Sequence, residues 1–269
     1  MGAVDGKVAF VTGAARGLGR SHAVTLAREG ADIIGLDLCD QIATVDYPMS
    51  TDGDLAETVR QVQAVGRRMV AFRGDVRRLA DVTAAIDAGV AEFGRLDIVI
   101  ANAGIGAAHG STEDPEQVWG DVIDVNLTGT FNTVTAARQP LIEGGRGGSI
   151  VLTSSTAGLK GSAASSPGGL GYIASKHAVV GIMRALANDL GPHGIRVNTV
   201  HPTITATPLV ENDAMREWSA KSASGAQHVL PVKMIEPADV SSAVLWLVAD
   251  TGRYVTGIML PVDAGFSVK

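Results

Sequence analysis

The sequence has a single cysteine, Cys39, which excludes an internal disulfide and fits a reducing compartment. Charged residues make up only 19% of the chain, and acids outnumber bases, so the formal net charge is −6. This balance argues against nucleic acid as a partner, because such binding depends on Lys and Arg side chains that neutralise phosphates. One cysteine and six scattered histidines also provide no metal-ligand cluster.

Long apolar runs are missing as well. The longest, residues 98–108, contains Asn102 and is shorter than the roughly 20 residues that a membrane helix needs. The short apolar run after Lys7 ends at a glycine and does not resemble a signal peptide. We therefore expect a cytoplasmic protein without a membrane segment. With 46% hydrophobic residues and 33 glycines, the composition predicts a large, tightly turned core, and we assign residues 1–269 to one domain.

An apolar strand followed by a glycine-rich loop opens the chain. Residues 8–11 are apolar on both faces, as in a central parallel strand, and Gly13, Gly17 and Gly19 precede a helical pattern. Glycines let the backbone approach a ligand, and the start of the helix offers free N–H groups to a pyrophosphate. Their spacing differs from the commoner dinucleotide fingerprint, so the loop alone also fits an ordinary strand-to-helix turn.

The next predicted strand, residues 32–36, ends in Asp37. An acid at this place hydrogen-bonds the ribose hydroxyls of the adenosine and repels a 2′-phosphate. Leu38 follows instead of an arginine, so we predict NAD rather than NADP. An ordinary loop aspartate is the alternative, but it does not explain why strand, glycine loop, helix, strand and acid occur in this order.

A long connector, residues 39–53, follows the acid. Connections of this kind usually have about 2–6 residues, and longer ones tend to be functional or disordered. The connector leaves the strand end where the adenosine should lie. We therefore predict that it folds over the adenosine as a flap.

Strands and helices continue to alternate along the rest of the chain. This alternation predicts an α/β fold: a single Rossmann-type doubly wound domain with a seven-stranded, mainly parallel sheet and helices on both faces. Ligands bind outside the carboxyl ends of the strands in such sheets. Asp75, Asn102 and Ser155 each follow a predicted strand, and we expect Asp75 to meet the adenine amino group. A later long helix should be distorted at Asn126, where poor helix formers follow.

Tyr172 and Lys176 lie four residues apart in a stretch with apolar residues at helical spacing, so they share one helix face. A free tyrosine has a pKa of about 10, and a fixed neighbouring cation favours the phenolate. Lowering that pKa by about three units takes roughly 4 kcal/mol, which the lysine and a positively charged nicotinamide could supply together. Such a phenolate can take a proton from an alcohol. The pair by itself also fits a surface helix that carries both residues by chance.

Five motifs in order resemble the short-chain dehydrogenase/reductase family: residues 12–19, Asn102-Ala103-Gly104, Asn126, Ser155 and Tyr172 through Lys176. The resemblance covers nearly the whole chain. It implies that Tyr172 is the catalytic base, that Ser155 holds the substrate oxygen, and that Lys176 binds the ribose while lowering the phenol pKa. Asn126 would anchor a water in a proton relay. Ser155 is preferred to Ser154 because the family's serine precedes two variable residues and a glycine.

The same resemblance implies an NAD site at the carboxyl edge of the sheet. Its expected residues come from the loops after the strands and from the helix of the catalytic pair: Gly13, Arg16, Gly17, Leu18, Gly19, Asp37, Leu38, Asp75, Val76, Asn102, Ala103, Gly104, Tyr172, Lys176, Pro202, Thr205 and Thr207. The chain departs from the family's pattern at Ala101, which replaces an asparagine, and at Thr203, which replaces a glycine. The separation between serine and tyrosine is also longer than usual, and we place the added length in a bulging loop at residues 161–169.

Asp37-Leu38-Cys39, the long connector and His201-Pro202-Thr203 further resemble the mycofactocin-associated, carveol dehydrogenase-like branch of this family. That branch implies a small apolar secondary alcohol or ketone as substrate. It also implies an NAD that is held so tightly that mycofactocin, instead of bulk NAD, carries the electrons away.

The segment at residues 203–230 is the predicted substrate lid. Its residues Met215, Trp218, Val229 and Leu230 favour an apolar alcohol, although they also fit simple packing within the lid. We interpret the three histidines near the site as structural, since the Tyr/Lys pair already supplies acid–base chemistry: His177, His201 and His228.

Other functions share part of this pattern. A serine hydrolase needs Gly-x-Ser-x-Gly after a strand, and no serine here has glycine at both positions. An ordinary NADH-dependent ketone reductase with an exchangeable cofactor would use the same residues, and a non-catalytic NAD sensor would share the fold. The family resemblance also implies a homotetramer in which helices near 122–143 and 172–190 pair.

Overall fold

Strands and helices alternate along the chain, as the computed structural model shows for residues 2–106, 114–161, 164–213, 216 and 228–269, which are the residues described. The strands are β1 (Val8–Thr12), β2 (Asp32–Asp37), β3 (Met69–Arg73), β4 (Ile98–Ala101), β5 (Gly148–Thr153), β6 (Ile195–Pro202) and β7 (Met259–Val262). The α-helices are α1 (Gly17–Arg28), α2 (Asp52–Ala64), α3 (Leu79–Phe93), α4 (Pro115–Ile123), α5 (Gly129–Gly144), α6 (Pro167–Leu190) and α7 (Pro237–Val248).

The seven strands of the described residues form one parallel sheet in the order β3-β2-β1-β4-β5-β6-β7. The strand order reverses between β1 and β4, which creates a crevice at the carboxyl ends of these two strands. The predicted Rossmann-type fold is therefore confirmed. Every described helix is too short or too polar to span a lipid bilayer.

The side chains of the strands alternate between two hydrophobic clusters, one on each face of the sheet. In β1, Val8 and Phe10 belong to one cluster, whereas Ala9 and Val11 belong to the other. The first cluster includes residues of α3, α4, α5 and α6, and the second includes residues of α1, α2 and α7. Burial on both faces explains why the central strands are apolar at successive positions.

Helices α4 and α5 are joined by one turn of π-helix, Asp124–Thr128. Asn126 lies at its centre and is fully buried. The hydroxyl of Thr130 donates a hydrogen bond to the main-chain oxygen of Asn126 at 2.8 Å. A π turn is a local irregularity that often accompanies a functional site, and this one confirms the distortion that was predicted at Asn126.

Helix α6 begins at Pro167, so the bulging loop predicted at residues 161–169 is wrong in its second part. The Ser166 hydroxyl caps the helix by accepting a hydrogen bond from the N–H of Gly169 at 3.1 Å. A serine cap followed by proline is a strong helix start. Residues 167–169, which were assigned to the loop between Ser155 and Tyr172, therefore belong to the helix that carries Tyr172. Residues 162 and 163 lie outside the described residues.

The connector at residues 39–53 packs against the body of the protein as an ordered flap. Ile42, Val45 and Tyr47 are buried in the hydrophobic cluster that includes α3 and α6. The side-chain amide of Gln41 donates to the main-chain oxygens of Val45 at 2.9 Å and Tyr47 at 3.3 Å. Its oxygen accepts from the N–H of Met49 at 3.0 Å. One side chain thus satisfies several main-chain groups of residues 39–51, which form no helix or strand before α2 begins at Asp52.

Candidate active site

A cavity of about 990 Å³ runs along the carboxyl ends of the strands. This volume lies at the upper end of the range of about 300–1,000 Å³ that is usual for ligand and cofactor sites. Every residue predicted to bind the cofactor or to act in catalysis lines the cavity, except Gly19 and Asn126. The cavity therefore lies where a ligand was predicted to bind, at the carboxyl ends of the strands.

The glycine loop between β1 and α1 packs closely against the loop after β4. Gly13 and Gly17 have positive φ angles of 67° and 55°, which favour glycine. A Cβ atom on Gly13 would lie 3.0 Å from the Cα of Ala103. A Cβ atom on Gly19 would lie 1.8 Å from the main-chain oxygen of Gly13. Gly19 is therefore required for packing of the helix on the loop, and its contact with a cofactor stays a prediction.

Asp37, at the end of β2, is buried and holds the glycine loop and the flap together. One carboxylate oxygen accepts from the N–H of Ala15 at 2.9 Å. The other accepts from the Ser50 hydroxyl at 2.5 Å and from the N–H of Cys39 at 3.1 Å. Both oxygens thus have protein donors, and the contact of Asp37 with a ribose stays a prediction. Sequence reasoning missed Ser50, because the connector folds back on Asp37 only in the tertiary structure.

The flap was predicted to cover the adenosine site at the end of β2. It also extends along the cavity to the loop after β4. Tyr47 and Met49 line the cavity. The hydroxyl of Tyr47 accepts a hydrogen bond from the N–H of Gly106, after β4, at 3.2 Å. Burial raises the pKa of this phenol to about 12, so it is neutral at physiological pH. In the sequence, Tyr47 is the one aromatic residue of the connector, and this was the signal from which the contact could have been predicted.

Asp75, which follows β3, is paired with Arg77. The Arg77 guanidinium lies 2.7 Å from the Asp75 carboxylate and 3.3 Å from that of Asp121 on α4. Asp121 also accepts from the hydroxyl of Thr44 in the flap at 2.7 Å. Polar contacts therefore connect the wall after β3 to the flap. Asp75 and Val76 line the cavity as predicted, while the contact of Asp75 with adenine stays a prediction.

Ser155, Tyr172 and Lys176 come together on the wall of the cavity. The Ser155 hydroxyl accepts from the N–H of Ala157 at 3.1 Å and lies close enough to the Tyr172 phenol to lower its pKa. The Lys176 ammonium donates to the main-chain oxygen of Thr153 at 2.9 Å and lies 5.5 Å from the centroid of the Tyr172 ring. The fold thus brings two hydroxyl groups and one cation to the same place.

Burial determines the pKa values of this group. It raises the pKa of Tyr172, and the Ser155 hydroxyl opposes that effect only in part. It also lowers the pKa of Lys176 to about 8. In the protein alone the pKa of the phenol is thus raised, and the predicted lowering of that pKa by Lys176 together with a charged nicotinamide stays a prediction. The ammonium group lies over the ring and bonds to a carbonyl, and the loss of hydration of the phenolate is the larger effect.

The chain matches the short chain dehydrogenase family over residues 7–218. It belongs to this family. The (-)-trans-carveol dehydrogenase of Rhodococcus erythropolis is 45% identical over 281 residues, with 100% of each chain covered. The solved carveol dehydrogenase from Mycobacterium avium in complex with NAD is 48% identical, covers 100% of each chain, and superposes with a TM-score of 0.93. The short chain dehydrogenase from Mycobacterium paratuberculosis bound to NAD is 44% identical, with a TM-score of 0.92 and 100% of each chain covered.

These similarities confirm the predicted family and the assignment as a dehydrogenase. The side chain of Asn126, the expected relay residue, is held by a residue of the loop after β4. Its side-chain oxygen accepts from the N–H of Ile105 at 2.8 Å, and its amide nitrogen donates to the Ile105 oxygen at 2.9 Å. The side chain therefore fixes the peptide that follows Asn102–Gly104. A water at Asn126 stays a prediction.

Thr203, which replaces the family's glycine after β6, is accommodated by His228. The Thr203 hydroxyl lies 2.9 Å from Nε2 of His228, and Nδ1 of His228 donates to the main-chain oxygen of Val232 at 2.7 Å. His228 is buried, and these bonds agree with the structural role predicted for it. Pro202 and Thr205 line the cavity, as expected of cofactor residues.

The predicted lid is only partly at the cavity. Leu209 and Val210 line the cavity. Val229 and Leu230 are 55% and 58% exposed and do not line it, and their predicted place beside the substrate stays a prediction. Met215 and Trp218 lie outside the described residues.

Proposed function

We propose that this protein is an NAD-dependent dehydrogenase of small apolar secondary alcohols or ketones of the carveol type, with Tyr172 as the acid–base group. The observation that carries the proposal is the closeness of the Ser155 and Tyr172 hydroxyls in a cavity that also contains Asp37 and the glycine loop. The two hydroxyls offer a place for an alcohol oxygen and a proton acceptor. The strand ends offer a place for a dinucleotide.

The residues present fit an NAD molecule. Gly13 and Gly17 line the cavity, and the N-cap residue Arg16 makes no side-chain cap bond, so the first N–H groups of α1 are available to a pyrophosphate. The carboxylate of Asp37 favours a ribose over a 2′-phosphate. The two similar structures that contain NAD support this choice. When bound, the oxidised cofactor supplies a hydride acceptor and a positive charge.

In the proposed reaction, Ser155 holds the alcohol oxygen and Tyr172 accepts its proton. Because burial raises the pKa of Tyr172, the phenolate needs a cation close by. The ammonium of Lys176, 5.5 Å from the ring centroid, and the charge of the oxidised cofactor act together in this role. Lys176 would also bind the ribose, and Asn126 would place a relay water near its main chain.

The lining of the cavity supports an apolar substrate. Apolar side chains from four segments contribute to it: Ile105, Ile173, Leu209, Val210 and Phe266. Such a wall favours a terpenoid alcohol over a sugar, because sugar hydroxyls would lose their hydration without gaining partners. The carveol dehydrogenase among the relatives agrees with this substrate class.

We further propose that the flap holds NAD tightly enough for mycofactocin, instead of bulk NAD, to reoxidise it. The guanidinium of Arg16 donates to the main-chain oxygen of Pro48 at 2.6 Å, and Ser50 donates to Asp37 at 2.5 Å. These bonds join the flap to the glycine loop and to the end of β2, on both sides of the expected adenosine site. Release of the cofactor past the flap would break them.

The test starts from protein that is purified without added nucleotide. After extensive dialysis, one sample is denatured and assayed for NAD. A second sample is offered apolar secondary alcohols with either an artificial electron acceptor or free NAD. Retained NAD and turnover with the artificial acceptor alone support tight holding, whereas an empty site and turnover with free NAD or NADH support an exchangeable ketone reductase. NAD binding without any turnover supports a sensor.

We also propose a cytoplasmic homotetramer in which α5 and α6 pair across an interface. Three large apolar side chains on α4, α5 and α6 support it, because they are exposed in the single chain: Trp119, Phe131 and Leu170. Light scattering of the purified protein measures the molecular mass. A monomer at micromolar concentration would contradict the proposal.

A further inference from the structure

His201 continues the sheet where the main-chain hydrogen bonds between β5 and β6 end. Just past β5, the N–H of Ser154 donates to the Val200 oxygen at 2.9 Å. One residue further, the imidazole of His201 reaches across from β6, and its Nδ1 lies 2.8 Å from the main-chain oxygen of Ser155. A side chain thus takes over from the backbone at the residue that carries the hydroxyl of the site.

The imidazole is held in one tautomer. A carbonyl oxygen only accepts, so Nδ1 carries the hydrogen, and Nε2 accepts from the Thr199 hydroxyl at 2.8 Å. His201 is fully buried, and this burial, together with the charge of Lys176, lowers its pKa. The ring is therefore neutral near pH 7. It acts as a hydrogen-bonding support and does not exchange protons with the phenol.

The Ser155 oxygen has a second donor, the N–H of Gly158, at 2.9 Å. That bond closes the 3-10 turn Thr156–Gly158 on itself, so it moves with the turn and does not fix the turn relative to the sheet. Among the residues that the structure describes, His201 makes the hydrogen bond that ties Ser155 itself to β6.

We propose that His201 is a positioning residue, which holds the Ser155 turn against the sheet so that the serine hydroxyl stays within reach of the Tyr172 phenol. The proposal rests on the proposed function, because that function assigns proton transfer to the Ser155–Tyr172 pair. It adds to the site a residue that does not line the cavity and therefore acts through Ser155.

The matched variants His201→Asn and His201→Gln test this role. The amide nitrogen of asparagine replaces Nδ1 and still donates to Ser155, whereas that of glutamine replaces Nε2 and does not. We expect His201→Gln to lower kcat about tenfold or more, because small misplacements of reacting groups cost that much. KM, NAD content and melting temperature should stay close to those of His201→Asn, which should keep most of the wild-type kcat. His193→Asn, at an exposed histidine after α6, is the control.

A second readout does not need turnover. The ionisation of Tyr172 is followed by the ultraviolet absorbance of the phenolate, as the difference between each protein and its Tyr172→Phe counterpart. Because the Ser155 hydroxyl works against the rise of the phenol pKa, His201→Gln should titrate at higher pH, and His201→Asn should not. The titratable groups that face the phenol or the imidazole are the same in both variants, namely Lys176, Tyr47 and His177.

Equal kcat values and equal phenol titrations in the two variants would overturn the proposal. A parallel loss in both, with a lower melting temperature, would also overturn it, because the packing of the ring and not its Nδ1 bond would then matter. If the wild type turns over no alcohol or ketone, the proposed function fails. A titration shift in His201→Gln alone would in that case still support the positioning role.

Discussion

The ammonium of Lys176 lies over the ring of Tyr172, 5.5 Å from its centroid, and donates to the main-chain oxygen of Thr153 at 2.9 Å. This bond ties α6 to the end of β5, which leads into Ser155. One side chain therefore holds the helix of the phenol against the strand of the serine hydroxyl. Because its charge is buried beside a ring and a carbonyl, the charged form loses much of its hydration, and the pKa of the amine falls to about 8.

Replacing Tyr172 with phenylalanine removes the proposed proton acceptor and keeps the ring. We expect turnover of alcohols to fall by about 10²–10⁴-fold, which is typical for the loss of a general base, while NAD stays bound. Steady-state rates and the NAD content of the purified variant check this. Tyr254→Phe, whose ring is 89% exposed, is the matched control. Near-wild-type turnover in Tyr172→Phe would remove the phenol from the mechanism.

The buried amine of Lys176 should make the stability of the ligand-free protein depend on pH. Its pKa falls from 10.5 to about 8 on folding, so the unfolded state binds more protons between these values. The free energy of unfolding should therefore rise between pH 8 and pH 9, and Lys176 alone would contribute about 3 kcal/mol over the full window. Above pH 9 the raised pKa of Cys39 acts in the opposite sense, and above pH 10 those of Tyr47 and Tyr172 do so as well.

Denaturant titrations of the ligand-free wild type and of Lys176→Met between pH 7 and pH 10 measure this dependence. The variant should lack most of the rise. A wild-type stability that stays constant or falls from pH 8 to pH 9 would contradict the prediction.

Replacing Tyr47 with phenylalanine removes the oxygen that accepts from the N–H of Gly106 at 3.2 Å. We expect NAD to leave the protein several times faster, up to about tenfold, because a hydrogen bond that helps to close the flap contributes about 1 kcal/mol. The time course of NAD loss during dialysis checks this, with Tyr254→Phe as control. Equal release from both variants would show that this contact does not hold the flap.

Replacing Asp37 with asparagine removes the charge at the end of β2. We expect affinity for NAD to fall by about tenfold or more, since hydrogen bonds to a charged group contribute about 1.5–3 kcal/mol. Affinity for NADP should rise relative to NAD, because the charge that repels a 2′-phosphate is lost. Binding of both nucleotides to nucleotide-free protein is measured by calorimetry. Asp40→Asn, whose side chain is 62% exposed, serves as the control and should leave the ratio unchanged.

Local patterns in the sequence were enough to predict the sheet and the position of the site. Successive apolar residues, as in residues 8–11, are stable only where both faces of a strand are buried, which indicates a parallel sheet covered by helices. Parallel strands end at the same edge, so Gly13, Asp37 and Ser155 had to lie near one another. The spacing of Tyr172 and Lys176 put them on one face of a helix.

Contacts between residues far apart in the chain were decided by the tertiary structure alone. The sequence predicted a flap, but the bond from Gly106 to Tyr47 and that from His201 to Ser155 join segments whose local patterns carry no information about each other. The direction of the Tyr172 pKa shift was likewise decided by the tertiary structure alone. A neighbouring cation and the loss of hydration act in opposite directions, and only the depth of burial in the folded protein decides which is larger.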